Sequence, residues 1–74
     1  MTFYEFILSR KASDTPRGDF VGDVKRDRDF PKDVADWDRL HLYLSMKAGS
    51  NAEAVLKAAK PVWRAYEREV GKLA

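Results

Sequence analysis

Residues 61–73 read PVWRAYEREVGKL, and this stretch decides the fold class. Val62, Trp63 and Tyr66 recur at the spacing of one helix face, and the apolar pattern continues to Leu73. An apolar face that is rich in aromatic residues has to be buried against other elements. The stretch therefore predicts a helix that closes a hydrophobic core.

Basic side chains run beside this apolar face, one at every fourth residue. Like charges at that spacing cost about a few tenths of a kcal/mol in an isolated helix, and the phosphates of a bound partner would offset this cost. Glu67 and Glu69 would also offset it within the protein, so a solvated helix face is the simpler interpretation. The functional interpretation is a site for an anionic partner formed by Lys57, Lys60, Arg64, Arg68 and Lys72, extended by Arg39 and Lys47 if the third and fourth helical segments pack beside the last.

Capping signals predict two helices in the first third of the chain. Thr2 and Glu5 have capping-box spacing and apolar residues follow at helical spacing, so the first helix is expected over residues 3–10. The Thr-Pro pair at 15–16 supplies an N-cap with proline at the first helical position. A second helix is expected from there to near Arg28.

The second helix contains two glycines four residues apart, Gly18 and Gly22, each of which costs up to about 1 kcal/mol relative to alanine. We expect them to let another helix approach closely. The polar linker that follows contains Phe30, which is expected to anchor this connection in the core. Pro31 disfavours helical structure at the residue before it, so the linker is predicted to be non-helical.

Two further helical segments follow this linker. Asp36, or alternatively Asp33, is expected to cap a third helix that ends at Gly49 in a left-handed conformation. Ser50 and Glu53 repeat the capping-box spacing and predict the start of a fourth segment.

Proline at position 61 leaves two outcomes for the end of the chain. Either a long helix is kinked there, or a short helix ends near Ala59 and a separate one begins at Pro61; the break is favoured. Without a strand signal, the expected fold is one all-α domain over residues 1–74, a compact four- to five-helix bundle. Its predicted core consists of Phe3, Phe6, Phe20, Phe30, Trp37, Leu40, Leu44, Trp63 and Tyr66.

Composition limits the class of protein. The chain has 74 residues and no cysteine, so disulfides and thiolate metal sites are excluded and a cytoplasmic location is expected. No signal peptide is expected, because residues 1–5 lack a basic region followed by a long apolar run, and no membrane span is expected, because no apolar run approaches about 18 residues. The net charge is +2, but residues 39–74 hold seven Lys or Arg against three Asp or Glu. Any positive face should therefore come from the last two helical segments.

The order and spacing of several aromatic residues resemble the YozE-like family of small bacterial proteins. The resemblance spans nearly the whole chain, with departures at Pro61 and in the alanine-rich residues 52–59. It implies a four-helix fold similar to sterile alpha motif domains, a cytoplasmic location and no established active site. The residues that carry it are Phe3-Tyr4, Ile7-Leu8, Phe20, Asp29-Phe30-Pro31-Lys32, Tyr43-Leu44, Trp63 and Tyr66-Glu67.

Catalytic and metal-binding chemistry finds little support in the sequence. His41 is the only histidine, and we interpret it as a structural residue partly buried beside Trp37 and Leu44, although Asp38 lies three residues before it. The acidic cluster Asp23, Asp27 and Asp29 lacks the glycine bend and closing glutamate of a calcium loop, and is interpreted as solvated surface. No nucleophile with a base and no phosphate-binding glycine loop is found. We therefore predict a protein that is not an enzyme and needs no cofactor or metal.

Two classes of partner remain. The first is nucleic acid, bound weakly through the basic face of the last helix. The second is another protein, contacted by a small adaptor domain through partly exposed Tyr4, Tyr43 and Met46, although both tyrosines are more simply core-edge residues with solvated hydroxyls. Membrane-surface binding is disfavoured because the apolar face of the last helix is needed for the core. A monomer is expected.

Overall fold

The structure is a computed structural model that describes residues 1–13 and 15–73. These residues form four α-helices and one short 3-10 helix, without a β-strand. The all-α fold predicted from the sequence is thus confirmed. The elements are α1 (Phe3–Leu8), α2 (Pro16–Arg26), α3 (Trp37–Ala48), the 3-10 helix (Gly49–Asn51) and α4 (Ala52–Leu73).

The first helix begins at the predicted capping box and ends two residues early. The Glu5 backbone N–H donates to the Thr2 hydroxyl over 3.1 Å, and the Glu5 carboxylate accepts from the Thr2 N–H over 3.0 Å. The helix ends at Leu8 rather than Arg10. The Ser9 hydroxyl donates to the Phe6 carbonyl over 2.7 Å, a side-chain bond that competes with further helical turns.

The second helix also starts as predicted and ends early. The Thr15 hydroxyl accepts from the Gly18 N–H over 3.1 Å, and Pro16 occupies the first helical position. The helix ends at Arg26 rather than near Arg28 because Asp27 adopts an extended conformation. The Asp27 carboxylate then accepts the N–H of Asp29 over 3.0 Å, which closes a local turn.

Of the two caps considered for the third helix, Asp36 is the one that forms. Its carboxylate accepts the Arg39 N–H over 2.8 Å. The helix ends before Gly49, whose φ of 57° lies in the region that favours glycine, although its ψ of −120° differs from that of a left-handed helical cap. The capping box predicted at Ser50 is wrong, because Ser50 lies inside the 3-10 helix and α4 begins at Ala52.

The last helix runs without interruption through Pro61, so the favoured break is wrong. Proline removes the hydrogen bond that the carbonyl four residues earlier would accept. The residues around it compensate: Ala59, Val62 and Trp63 are all buried in the core. Tertiary packing of this face, more than local propensity, determines helical structure at such a position.

The core surrounds Phe3, which is fully buried. Its ring centroid lies 4.9 Å from that of Trp63 and 5.4 Å from that of Tyr66. All of the predicted core residues are buried except Trp37, which is half-buried at the edge of the core, 6.2 Å from Trp63. Val34, which is not among the predicted core residues, is almost completely buried.

The two glycines of α2 face the α1–α2 connection rather than another helix, which corrects the expectation from their spacing. A Cβ at Gly18 would lie 2.1 Å from the Ser13 hydroxyl and 2.3 Å from its backbone nitrogen. At Gly22 the nearest atoms belong to the Arg26 side chain, at 3.2 Å, and Ala12, at 3.4 Å. Gly18 therefore brings the connection directly onto the start of α2.

Candidate basic interface

The predicted basic residues of α4 lie along its solvent side, opposite the buried face. Lys57, Arg64, Arg68 and Lys72 are exposed, whereas Lys60 is half-buried. The Lys60 ammonium lies 4.2 Å above the ring of Trp37, on the side of α4 that packs against α3. Such a cation–π contact satisfies part of the charge within the protein. The Lys60 side chain therefore lies against α3 and interrupts the exposed row of basic residues on α4.

Arg64 and Arg68, the two arginines of α4, remain available to contact a partner. Neither Arg64 nor Arg68 forms an ion pair with any residue that the structure describes. Glu69, which was expected to be able to satisfy an arginine, lies 3.9 Å from the ammonium of Lys72 instead. Both guanidinium groups thus keep donors for a partner.

Arg68 also borders a groove between α4 and the α1–α2 connection. A cleft of about 230 Å³ there is lined by Arg10, Lys11, Arg17 and Arg68 among other residues. A second depression, of about 730 Å³, continues it along α4 to Lys57, and the two share Thr15, Arg17 and Pro61 as lining. No acidic residue among those that the structure describes lines either part. We call this surface the basic groove and define it by Arg10, Lys11, Arg17, Lys57 and Arg68.

Contacts with the helices hold the α1–α2 side of the basic groove in place. The Arg10 guanidinium carbon lies 4.3 Å from the centroid of the Phe6 ring. The Lys25 ammonium donates to the Arg10 carbonyl, which ties the connection to α2. Together with the close approach of Ser13 to Gly18, these contacts position one wall of the groove.

Arg10, Lys11 and Arg17 were not predicted as site residues, because they precede Arg68 by more than 50 residues in the chain. Three basic residues around the Thr15-Pro16 cap were the available signal. Only the packing of α1 and α2 on α4 brings them beside Arg68.

The suggested extension of the site through α3 does not form. The Lys47 ammonium lies 3.3 Å from a carboxylate oxygen of Asp27 and 3.6 Å from one of Asp29, in a different cleft. The backbone N–H of Arg39 donates to the Asp36 cap at the start of α3, and its side chain is exposed. Neither residue lines the basic groove.

The family of the chain follows from comparison with known proteins. Residues 2–68 match the family described as YozE SAM-like fold. The chain belongs to this family. The match agrees with the helical architecture and establishes the fold, and leaves the function open. No curated protein and no solved structure matches the chain significantly.

In this YozE-family domain the only histidine is exposed, which corrects its expected partial burial. The His41 ring meets the Trp37 ring edge-on with centroids 6.0 Å apart, and its Nδ1 lies 3.4 Å from the Ser45 hydroxyl. The residues described contain no group of three His, Cys, Asp or Glu side chains placed to hold a metal ion. None of the helices formed by residues 1–13 and 15–73 has both the length and the apolar composition needed to cross a membrane.

The acidic cluster is solvated surface, as predicted, at Asp23 and Asp29, whose side chains are 69% and 82% exposed, but not at Asp27. The Asp27 side chain is only 15% exposed and accepts the Tyr43 hydroxyl, the Asp29 N–H and the Lys47 ammonium. The Tyr43 hydroxyl is therefore not a solvated one. We call Asp27, Tyr43 and Lys47 the linker clamp.

Ionisation within the linker clamp follows from its geometry. Burial raises the pKa of Asp27, but the hydrogen bonds from Tyr43, Asp29 and Lys47 outweigh it and leave that pKa below its ordinary value. Burial and the neighbouring Asp27 carboxylate raise the pKa of Tyr43. The hydrogen bond and charge of Asp27 raise the pKa of Lys47. All three groups thus keep their ordinary charge states at neutral pH.

A second cleft, of about 530 Å³, lies next to the linker clamp. Its floor is apolar, with Phe20, Val24 and Leu44, whereas its rim carries both acidic and basic residues. Asp23 pairs with Arg26 over 2.8 Å, and Lys47 pairs with Asp27 and Asp29. The rim therefore balances its own charges, unlike the basic groove.

Of the residues expected at an adaptor surface, only Met46 is strongly exposed. Tyr4 and Tyr43 are half-buried at the edge of the core. Met46 is 76% exposed, and Leu42, one turn earlier on α3, is 61% exposed. These two residues form a small apolar surface on α3, of which only Met46 was predicted from the sequence.

Proposed function

We propose that this YozE-family domain is a non-catalytic binding module that holds the phosphate backbone of nucleic acid weakly through the basic face of α4. The observation that carries the proposal is the exposure of Arg64 and Arg68 without an ion-pair partner among the residues described. A cytoplasmic location, where nucleic acid is accessible, is part of the proposal.

Simple electrostatics supports binding to phosphate. Cations four residues apart on a helix repel one another, and neutralisation by phosphate removes that repulsion and releases counterions from the nucleic acid. The predicted members of this face are Lys57, Lys60, Arg64, Arg68 and Lys72. Two of them are partly satisfied, Lys60 by Trp37 and Lys72 by Glu69. Lys57, Arg64 and Arg68 should therefore contribute most.

The basic face favours backbone contacts over sequence recognition. Reading of base edges requires several polar side chains that enter a groove of the duplex. The exposed charged residues of α4 are four cations, which bind phosphates without sequence information, and two glutamates, Glu53 and Glu67. Weak affinity that falls with salt is the expected behaviour.

A titration at two salt concentrations tests this proposal. Labelled single-stranded and duplex DNA and RNA are titrated by fluorescence anisotropy at about 50 and 200 mM salt, a range over which phosphate-dominated binding falls steeply. Arg64→Ala combined with Arg68→Ala should weaken binding. Arg28→Ala combined with Arg39→Ala removes the same charge from exposed positions outside this face and should have a much smaller effect. Absence of binding at low salt would exclude the nucleic-acid function.

A protein-interaction adaptor is the second candidate, and the exposed pair Leu42 and Met46 favours it. Exposed apolar side chains one turn apart are typical of the centre of a small docking surface. In the absence of nucleic-acid binding, a pull-down with the wild-type domain and with Leu42→Ser combined with Met46→Ser would test this alternative. A partner captured by the wild type and lost in the variant would support it.

A further inference from the structure

We propose that the basic groove holds the backbone of a single nucleic-acid strand between α4 and the α1–α2 connection; this inference rests on the proposed function and specifies its ligand. The groove differs from the predicted row on α4 because it adds Arg10, Lys11 and Arg17, which lie on other elements. It also omits Arg64, which lines neither part of it.

The charged residues that line the groove, among those that the structure describes, are all basic. Its two parts are lined by Arg10, Lys11, Arg17, Lys57 and Arg68, and by no acidic residue among those that the structure describes. The second cleft beside the linker clamp carries acidic and basic residues that pair with one another. Cations in a recess with low-dielectric walls focus their field, and so attract a polyanion more strongly than the same charges spread over a convex surface.

The length of the groove suits a short stretch of nucleic-acid backbone. Lys57 and Arg68 lie about three helical turns apart on α4, which corresponds to roughly 16 Å. At a rise of about 3.4 Å per nucleotide along the axis of a stacked strand, that length spans about five nucleotides. The groove contains five basic side chains, so it can neutralise at most about five phosphates.

The shape of the groove favours one strand over a duplex. A duplex is normally read by a helix or ribbon that protrudes into a groove about 12 Å wide, whereas here the cations line a recess of about 230 Å³ and an adjoining one of about 730 Å³. Pro16, Pro61 and Ala65 supply apolar surface along it. A charged channel with apolar contacts for sugars and bases is typical of proteins that bind single strands.

The walls of the groove are preformed, which lowers the entropic cost of binding. Arg10 lies over Phe6, and Ser13 is packed against Gly18. Arg17 and Arg68 belong to regular helices. Binding therefore requires little reorganisation of the backbone.

Anisotropy titrations of a labelled oligothymidine strand and of a duplex of equal length, over a series of salt concentrations, test this inference. Five neutralised phosphates predict a slope of about −3.5 in log affinity against log salt, or about a 100-fold loss between 50 and 200 mM. Arg17→Ala should reduce the steepness of that slope by about 0.7. It changes an exposed residue of the groove that does not belong to α4. Arg28→Ala is the matched control and should leave the slope unchanged.

The outcomes distinguish failure of the groove from failure of the proposed nucleic-acid function. Weaker binding of the single strand by Arg17→Ala, with tighter binding of the strand than of the duplex, supports the groove. Weakening by Arg64→Ala but not by Arg17→Ala, or tighter binding of the duplex, would overturn the groove and leave the proposed function intact. Absence of binding to either nucleic acid would overturn both. Inorganic polyphosphate that competes as well as the oligonucleotide at equal phosphate concentration would contradict a nucleic-acid ligand.

Discussion

Removal of the Tyr43 hydroxyl should destabilise the domain through the linker clamp. Tyr43→Phe leaves the ring in place, 5.6 Å from Phe30, and deletes the hydrogen bond to Asp27. Hydrogen bonds to charged groups contribute about 1.5 to 3 kcal/mol. Asp27 keeps its bonds from Asp29 and Lys47 and is 15% exposed, so the lower end, about 1.5 kcal/mol, applies. The expected decrease in melting temperature is about 6 to 12 °C for a domain of this size.

The effect should depend on pH with a defined sign. The folded-state pKa of Asp27 is lowered, so the stability it contributes is present above its ordinary pKa of about 3.9 and is lost as the pH falls through the folded value. The destabilisation by Tyr43→Phe should therefore be constant from about pH 5 to 9. Below about pH 4 it should begin to fall, and it should reach roughly half once the pH is below the folded pKa of Asp27, because a hydrogen bond to a neutral acceptor contributes less.

Thermal melts followed by circular dichroism measure this effect. Tyr4→Phe is the matched control, because Tyr4 is also half-buried and its hydroxyl bonds to no residue that the structure describes. Its melting temperature should change by less than about 2 °C. Equal effects of the two substitutions at neutral pH, or a Tyr43→Phe effect that persists unchanged in acid, would refute the reasoning.

Three further predictions concern the core and the helices. Trp63→Ala removes a side chain that is 3% exposed and should cost about 3 to 5 kcal/mol, so chemical denaturation should find little or no folded protein; an unchanged midpoint would contradict the core assignment. Pro61→Ala restores a helical hydrogen bond and should raise the free energy of unfolding by about 1 to 3 kcal/mol, and a lower denaturation midpoint would argue against a continuous α4. Gly18→Ala should destabilise the domain by about 1 to 3 kcal/mol, because the added Cβ would collide with Ser13. Gly22→Ala should be tolerated, because the nearest atom to its Cβ belongs to a flexible side chain at 3.2 Å. Equal melting temperatures of the two variants would contradict this packing.

Helix positions were largely predictable because their signals are local. The capping atoms of Thr2, Thr15 and Asp36 lie within three residues of the N–H groups they satisfy, so the sequence alone indicates them. The helix ends were less accurate, since the end of α2 depends on the extended conformation of Asp27. Continuity through Pro61 was not predictable from propensity, because it depends on burial of the residues around it.

The candidate site was only partly visible in the sequence. Helical periodicity predicts that Arg64 and Arg68 lie on the same helix face, because both belong to one element, α4. The contribution of Arg17 depends on the packing of α2 against α4, a contact between distant parts of the chain that no local pattern encodes. The same limitation concealed the linker clamp, in which Tyr43 reaches Asp27 across sixteen residues of sequence.

An NMR titration of the isotope-labelled domain with a short single-stranded oligonucleotide at low salt tests the central claim most directly. Binding in the basic groove predicts that the amide signals of Lys11, Arg17, Lys57 and Arg68 shift together with one affinity, and that those near the linker clamp stay unchanged. Shifts centred on α3 around Leu42 and Met46, or no shifts at all, would contradict the account.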